Sequence, residues 1–130
     1  EEEGLAEKTT NYSSPKRYDV IAFKTSESAF DKIYIKRVIG VPGDKVLIKD
    51  GKVYINDKQL EDDVFTDNIL TAGLAKNELY LNKDEYFCLG DNRNNSEDSR
   101  FANIGIIKSE NIVGEPWLIT SPFNRFGRVK

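Results

Sequence analysis

The 130-residue sequence contains no histidine and no methionine, and it has a single cysteine. Without histidine there can be no Ser-His or Cys-His dyad, no His-ligated zinc and no imidazole proton shuttle near neutral pH. Acid–base chemistry therefore falls to lysine, tyrosine or carboxylates. The one thiol, Cys88, cannot form an internal disulfide, and it lies in the apolar run Tyr86-Phe87-Cys88-Leu89, where a buried and unreactive side chain is expected. Methionine is missing even at position 1, which predicts a chain trimmed at its N-terminus. No apolar stretch approaches the roughly 18 residues of a membrane helix, and no secretion-signal pattern is visible.

What remains fits one soluble globular domain spanning 1–130, with 38% apolar and 32% charged residues and few prolines and glycines. A chain of this size buries roughly two thirds of its extended surface, enough for a real core. Its 19 basic and 22 acidic side chains interleave and leave a net charge of -3, which argues against a nucleic-acid partner.

Short segments rich in Val, Ile, Tyr and Phe, separated by frequent turn residues, predict an all-β fold of antiparallel strands in a sandwich or partial barrel. Lys45–Lys49 and Lys52–Asn56 flank Asp50-Gly51, a two-residue turn suited to positive φ, so 45–56 is predicted to be a β-hairpin. Asp19–Lys24 and Ile33–Ile39 read as strands, and Val41-Pro42-Gly43-Asp44 as a type II turn, so 19–56 is expected to form consecutive antiparallel strands. Residues 61–78 lose clear periodicity and read as an excursion loop. Leu79–Leu81, a turn at Asn82–Asp84 and Tyr86–Leu89 follow. Ile104–Ile107, Ile112-Val113 and Trp117–Ile119 are expected as closing strands, with a turn or one helical turn at Lys108–Asn111.

Two places could carry chemistry. Lys36 interrupts an apolar strand, on the same face as Tyr34 and Val38 and opposite Arg37. It either reaches past the sheet to water or a carboxylate, or it is held in apolar surroundings that favour its neutral form and let it serve as a general base without histidine. The second place is Asp91 to Arg100, ten residues with no apolar side chain. It is either a solvated loop or an internal network of acids, arginines and hydroxyls rigid enough to place one hydroxyl beside a lysine. It is not a calcium loop, because an EF-hand spacing from Asp91 puts Arg93 at the third ligand position and lacks a glycine after Asn95. No metal and no cofactor are indicated.

Tyr34-Ile35-Lys36-Arg37-Val38-Ile39-Gly40-Val41-Pro42-Gly43-Asp44 resembles the lysine box of bacterial type I signal peptidases, and Gly90-Asp91-Asn92-Arg93 with Ser96, Asp98, Ser99 and Arg100 resembles that family's second signature. Arg17–Phe23, Tyr54–Asn56 and Pro122–Gly127 extend the similarity over nearly the whole chain. The resemblance implies a serine-lysine endopeptidase that removes signal peptides from exported preproteins. It would be anchored in the bacterial cell membrane by an N-terminal helix and work on the extracytoplasmic face. It further implies Lys36 as general base, Ser96 as the hydroxyl that orients it, and Arg37, Asp91, Arg93, Asp98 and Arg100 as charged braces. Tyr34 and Ile35 would line pockets for small substrate residues.

The sequence departs from the family in one important respect. The Ser-Met-x-Pro-Thr-type segment that carries the nucleophile would fall before Glu1, and Ser13 and Ser14, beside Pro15, are poor substitutes. The isolated chain is therefore expected to be inactive. Tyr18 stands where the family has glycine, and Phe101-Ala102-Asn103 where it often has an aromatic residue followed by glycine. The alternative is a signal-peptidase-like assembly factor that hydrolyses nothing, for example for pili, against which the retained Lys36 and Ser96 argue. A β-rich binding module with a coincidental lysine is a third reading.

Overall fold

The computed structural model describes residues 14–25, 32–60 and 68–114. Among the described residues nine strands form two open antiparallel sheets, and neither closes on itself. They are β1 (Val20–Phe23), β2 (Tyr34–Gly40), β3 (Lys45–Lys49), β4 (Lys52–Ile55), β5 (Lys58–Gln59), β6 (Leu79–Tyr80), β7 (Glu85–Leu89), β8 (Ile107–Lys108) and β9 (Ile112–Gly114). One sheet runs in the order β8-β7-β2-β1-β9 and the other β5-β4-β3-β6.

The expected hairpin is present: Lys49 pairs with Lys52, and Asp50 and Gly51 both take positive φ, so the turn's handedness matches the strand twist. A second tight turn at Asn56-Asp57, also at positive φ, folds β5 back on β4; the sequence reading had no strand there. The turn at 41–44 is closed by the Asp44 N–H donating to the Val41 carbonyl at 3.0 Å. It does not join paired strands, however: β2 lies in one sheet and β3 in the other, so the turn carries the chain between layers. Asp44 secures this crossing by accepting from Arg17 Nη1 at 2.7 Å, the Val41 N–H at 2.9 Å and Asn56 Nδ2 at 3.1 Å.

Strand alternation sorts the apolar residues onto both faces of the five-stranded sheet. Ile39, Phe87 and Leu89 face the second sheet and pack with Val46, Ile48, Val53 and Ile55. Ile21, Phe23, Val38, Tyr86 and Cys88 face the other way, onto Ile104, Ile107 and Ile112. Of the predicted strand Ile104–Ile107 only Ile107 is extended; residues 101–104 turn tightly, with the Ile104 N–H on the Phe101 carbonyl at 2.9 Å, so Ile104 reaches the core from a turn. The helical turn expected near 108–111 is a 3-10 turn at Ser109–Asn111. The predicted strand Trp117–Ile119 lies outside the described residues.

Tyr18 adopts φ 78°, a left-handed conformation that glycine takes most readily, as expected at a place where the resemblance implies glycine. The turn is held nonetheless: its N–H donates to Val38 at 2.7 Å, its carbonyl accepts from Arg37 Nη1 at 2.9 Å, and its ring packs against the core between the sheets.

Candidate active site

Register brings the site together. Arg37 in β2 pairs with Leu89 in β7, so one step further along places Gly90, where β7 ends, beside Lys36. Ile21 in β1 flanks Lys36 on the other side. Beyond Gly90 the polar loop folds back, and Lys36 Nζ donates to Ser96 Oγ at 3.3 Å. Two residues that lie 60 positions apart in sequence thus meet at the end of the sheet.

Ser96 is itself held. Its hydroxyl donates to Asp98 Oδ2 at 2.9 Å, so its oxygen is left to accept from the lysine. Asp98 is fully buried and accepts four further hydrogen bonds: from the Gly90 N–H at 2.9 Å, the Arg100 N–H at 3.1 Å, Arg100 Nε at 2.8 Å and Arg100 Nη2 at 2.8 Å. The Asp98–Arg100 pair is a two-pronged fork with both partners out of water, the geometry in which guanidinium and carboxylate fit best.

A second fork lies beside the first. Arg37 Nε and Nη2 donate to the two oxygens of Asp91 at 2.9 and 3.0 Å, while Arg93, also buried, donates from Nε to the Gly90 carbonyl at 2.9 Å. Ser99 turns inward: its hydroxyl accepts the Cys88 N–H at 2.9 Å and its own N–H donates to the Cys88 carbonyl at 3.0 Å, stitching the loop to β7.

Lys36 and Ser96 open onto a cleft of about 170 Å³ whose walls include Val20, Ile35, Gly90 and Asn92. A larger hollow of about 400 Å³ lies between the Arg17-Tyr18 turn and the β4–β5 hairpin, and neither Lys36 nor Ser96 lines it. Of the two residues expected to line substrate pockets, Ile35 lines the cleft of Lys36 and Ser96. Tyr34, on the same face of β2 as Lys36, instead stacks on Phe23, its cross-strand partner in β1, with ring centroids 5.7 Å apart, and is not among the cleft residues. Cys88 is buried, and burial, with the Asp98 charge nearby, pushes its thiol well above the usual range, so it stays protonated and inert. Ser14 hydrogen-bonds Tyr86 and does not line the cleft; Ser13 lies outside the described residues.

The sequence reading overlooked the part played by Gly90. A Cβ there would overlap Ser96 Oγ and come within 2.6 Å of Ser96 Cβ and 3.5 Å of Lys36 Nζ. Its position directly after a buried strand and before a polar block was the available signal. Gly90→Ala in the full-length protein is therefore expected to displace Ser96 and lower the rate of the site's reaction by roughly 10- to 100-fold. A kcat measurement beside a circular-dichroism melt checks this; an unchanged kcat in a folded variant would show that Ser96 need not sit there.

Among the described residues no helix is long and apolar enough to cross a membrane, and no three His, Cys, Asp or Glu side chains are placed to hold a metal. Residues 2–120 match the family described as signal peptidase, peptidase S26. The chain is 34% identical over 119 residues to the probable signal peptidase I-2 of Synechocystis, covering 87% of this chain and 51% of that protein. It is 35% identical over 133 residues to signal peptidase I T of Bacillus subtilis, covering 95% and 66%. The crystal structure of a signal peptidase I from Enterococcus faecalis superposes with a TM-score of 0.64 at 29% identity, over 80% of this chain and 97% of that one. The chain thus spans half to two thirds of the length of these two relatives.

Proposed function

Because the chain belongs to the signal peptidase family, peptidase S26, we propose that it carries the general base of a serine-lysine endopeptidase that removes signal peptides from exported preproteins. The contact between Lys36 Nζ and Ser96 Oγ at the mouth of the cleft carries this reading.

The chemistry follows from the hydrogen-bond directions. A neutral amine has two N–H groups and one lone pair, and Ser96, whose own proton is committed to Asp98, engages an N–H. The lone pair is left for the proton of an attacking hydroxyl. Ser96 is spent as orienter and Ser99 is fully buried, so neither suits attack. The nucleophile would come from a Ser-Met-x-Pro-Thr-type segment outside these 130 residues, with the oxyanion donors near it. Asp91, Arg93, Asp98, Arg100 and Arg37 brace the loop and the strand that carry the pair. A cleft of about 170 Å³ is smaller than the roughly 300–1,000 Å³ of small-molecule sites, and suits small side chains before a scissile bond. The enzyme would act at the extracytoplasmic face of the bacterial membrane, anchored by a helix outside these residues. A non-hydrolytic assembly factor has no need for an amine held by a hydroxyl.

The test is cleavage of a preprotein by the full-length protein and by residues 1–130 alone. The full-length protein is expected to cut after the signal peptide, at a rate that climbs with pH as the base loses its proton, provided chemistry limits the rate. The chain alone is expected to cut nothing. Turnover by the chain alone, or a flat pH profile under that condition, would overturn the assignment.

A further inference from the structure

The excursion between β5 and β6 returns through residues 68–76, and this stretch is bolted to the loop that carries Ser96. Asn94 Oδ1 accepts the Leu70 N–H at 2.8 Å while Asn94 Nδ2 donates to the Asn68 carbonyl at 2.8 Å, so one side-chain amide grips the backbone as a neighbouring strand would. Arg100 Nη1 donates to the Thr71 carbonyl at 3.1 Å, and the Leu74 N–H donates to the Arg100 carbonyl at 2.7 Å. Gly73, at φ +60°, allows this approach, since a Cβ there would overlap the Arg100 carbonyl oxygen. The stretch is also anchored in the core: Ile69 is buried between the sheets, and its N–H donates to the Gly51 carbonyl at the hairpin tip at 3.0 Å.

These bonds form one line. It runs from the hairpin through 68–76 to Arg100, whose remaining guanidinium nitrogens hold Asp98, which holds Ser96, which holds Lys36. The guanidinium is a rigid plane, so fixing Nη1 on Thr71 fixes the angle at which Nε and Nη2 meet the carboxylate.

We propose that Asn94 is a positioning residue of this site: its amide clamps residues 68–70 so that the Thr71 carbonyl meets Arg100 and the Arg100–Asp98–Ser96 line holds the Lys36 amine in place. The proposal rests on the reading of Lys36 as general base. Only an amide can do this. A carboxylate of the same shape would still accept from Leu70 but would turn a second bare oxygen on the Asn68 carbonyl.

The experiment compares Asn94→Asp and Asn94→Leu in the full-length protein with wild type, using a preprotein substrate. Because Asn94 is exposed, both variants are expected to fold. We expect kcat to fall about three- to thirtyfold with KM within about twofold, since Asn94 acts through the loop and does not hold substrate. Asn103→Asp, the same chemical change on an exposed turn, leaves kcat unchanged. Amide hydrogen exchange at Leu70 speeds up in both Asn94 variants, which reads the clamp without reference to activity. Unchanged Leu70 exchange, an unchanged kcat, or a loss confined to KM overturns the proposal. A wild-type protein whose rate survives Lys36→Met fails the base assignment and this proposal with it. One that depends on Lys36 while both Asn94 variants keep their kcat fails this proposal alone.

Discussion

On the proposed reading, Lys36→Met in the full-length protein is expected to lower kcat for preprotein cleavage by roughly 10²- to 10⁴-fold, the range that removal of a general base costs. Methionine keeps the unbranched apolar stem and removes only the group that takes the proton. Folding should be unaffected. The described hydrogen bond of Lys36 is a 3.3 Å contact to Ser96, and Ser96 stays pinned by Asp98 when the amine is gone. Lys36→Arg supplies the second arm. A guanidinium keeps the positive charge and can still donate to Ser96, yet it cannot give up a proton in this range, so it is expected to be equally inactive. If arginine restored activity, Lys36 would serve as a fixed charge and not as a base. If methionine left cleavage within tenfold of wild type, the base would lie elsewhere. Melting temperatures close to wild type in both variants would attribute the loss to chemistry.

How far the sequence foretold this arrangement depends on the range of the interactions involved. The β3–β4 hairpin was legible because its cause is local: two β-prone runs around Asp50-Gly51, whose backbone freedom selects the turn. Lys36 was conspicuous for a related reason, as a charge within a strand that is otherwise apolar on its face. Its partner was not, because a register 60 residues long has no local signature; the polar block from Asp91 announced a network but not which hydroxyl faced the amine. The resemblance to signal peptidases supplied that pairing. Tyr34 shares a face of β2 with Lys36 but lies outside the cleft, because its cross-strand partner Phe23 takes its ring, a pairing that the sequence order alone does not display. Period-two reasoning also failed where the chain turns between buried residues: Ile104 is buried from a tight turn, Ile69 from a stretch outside any strand, and Ala75 from a 3-10 turn at Gly73–Lys76. Asn94 had no role assigned from the sequence and Arg100 only that of a charged brace, and only the fold reveals that both grip the backbone of 68–71.

Arg100→Leu is expected to cost roughly 3–5 kcal/mol of stability, the penalty for leaving a buried charge without its partner. Asp98 and Arg100 have side-chain exposures of 0% and 1%, so solvent screens neither. With leucine in place, the Asp98 carboxylate would keep the Gly90 and Arg100 N–H donors and Ser96 but lose the cation that balances its charge out of water. For a chain of this length the melting temperature should fall by roughly 10 °C or more. The double variant Asp98→Leu with Arg100→Leu removes both charges and is expected to regain much of the lost stability, since a buried ion pair replaced by apolar groups is often close to neutral. It should not regain activity, because Ser96 then has no carboxylate to hold its hydroxyl and the amine of Lys36 loses its guide. Thermal melts of the single and double variants, read beside kcat, separate the two roles. A single variant as stable as wild type at neutral pH would mean that the fork is not closed in solution. A double variant with wild-type kcat would mean that Lys36 finds its aim without Ser96.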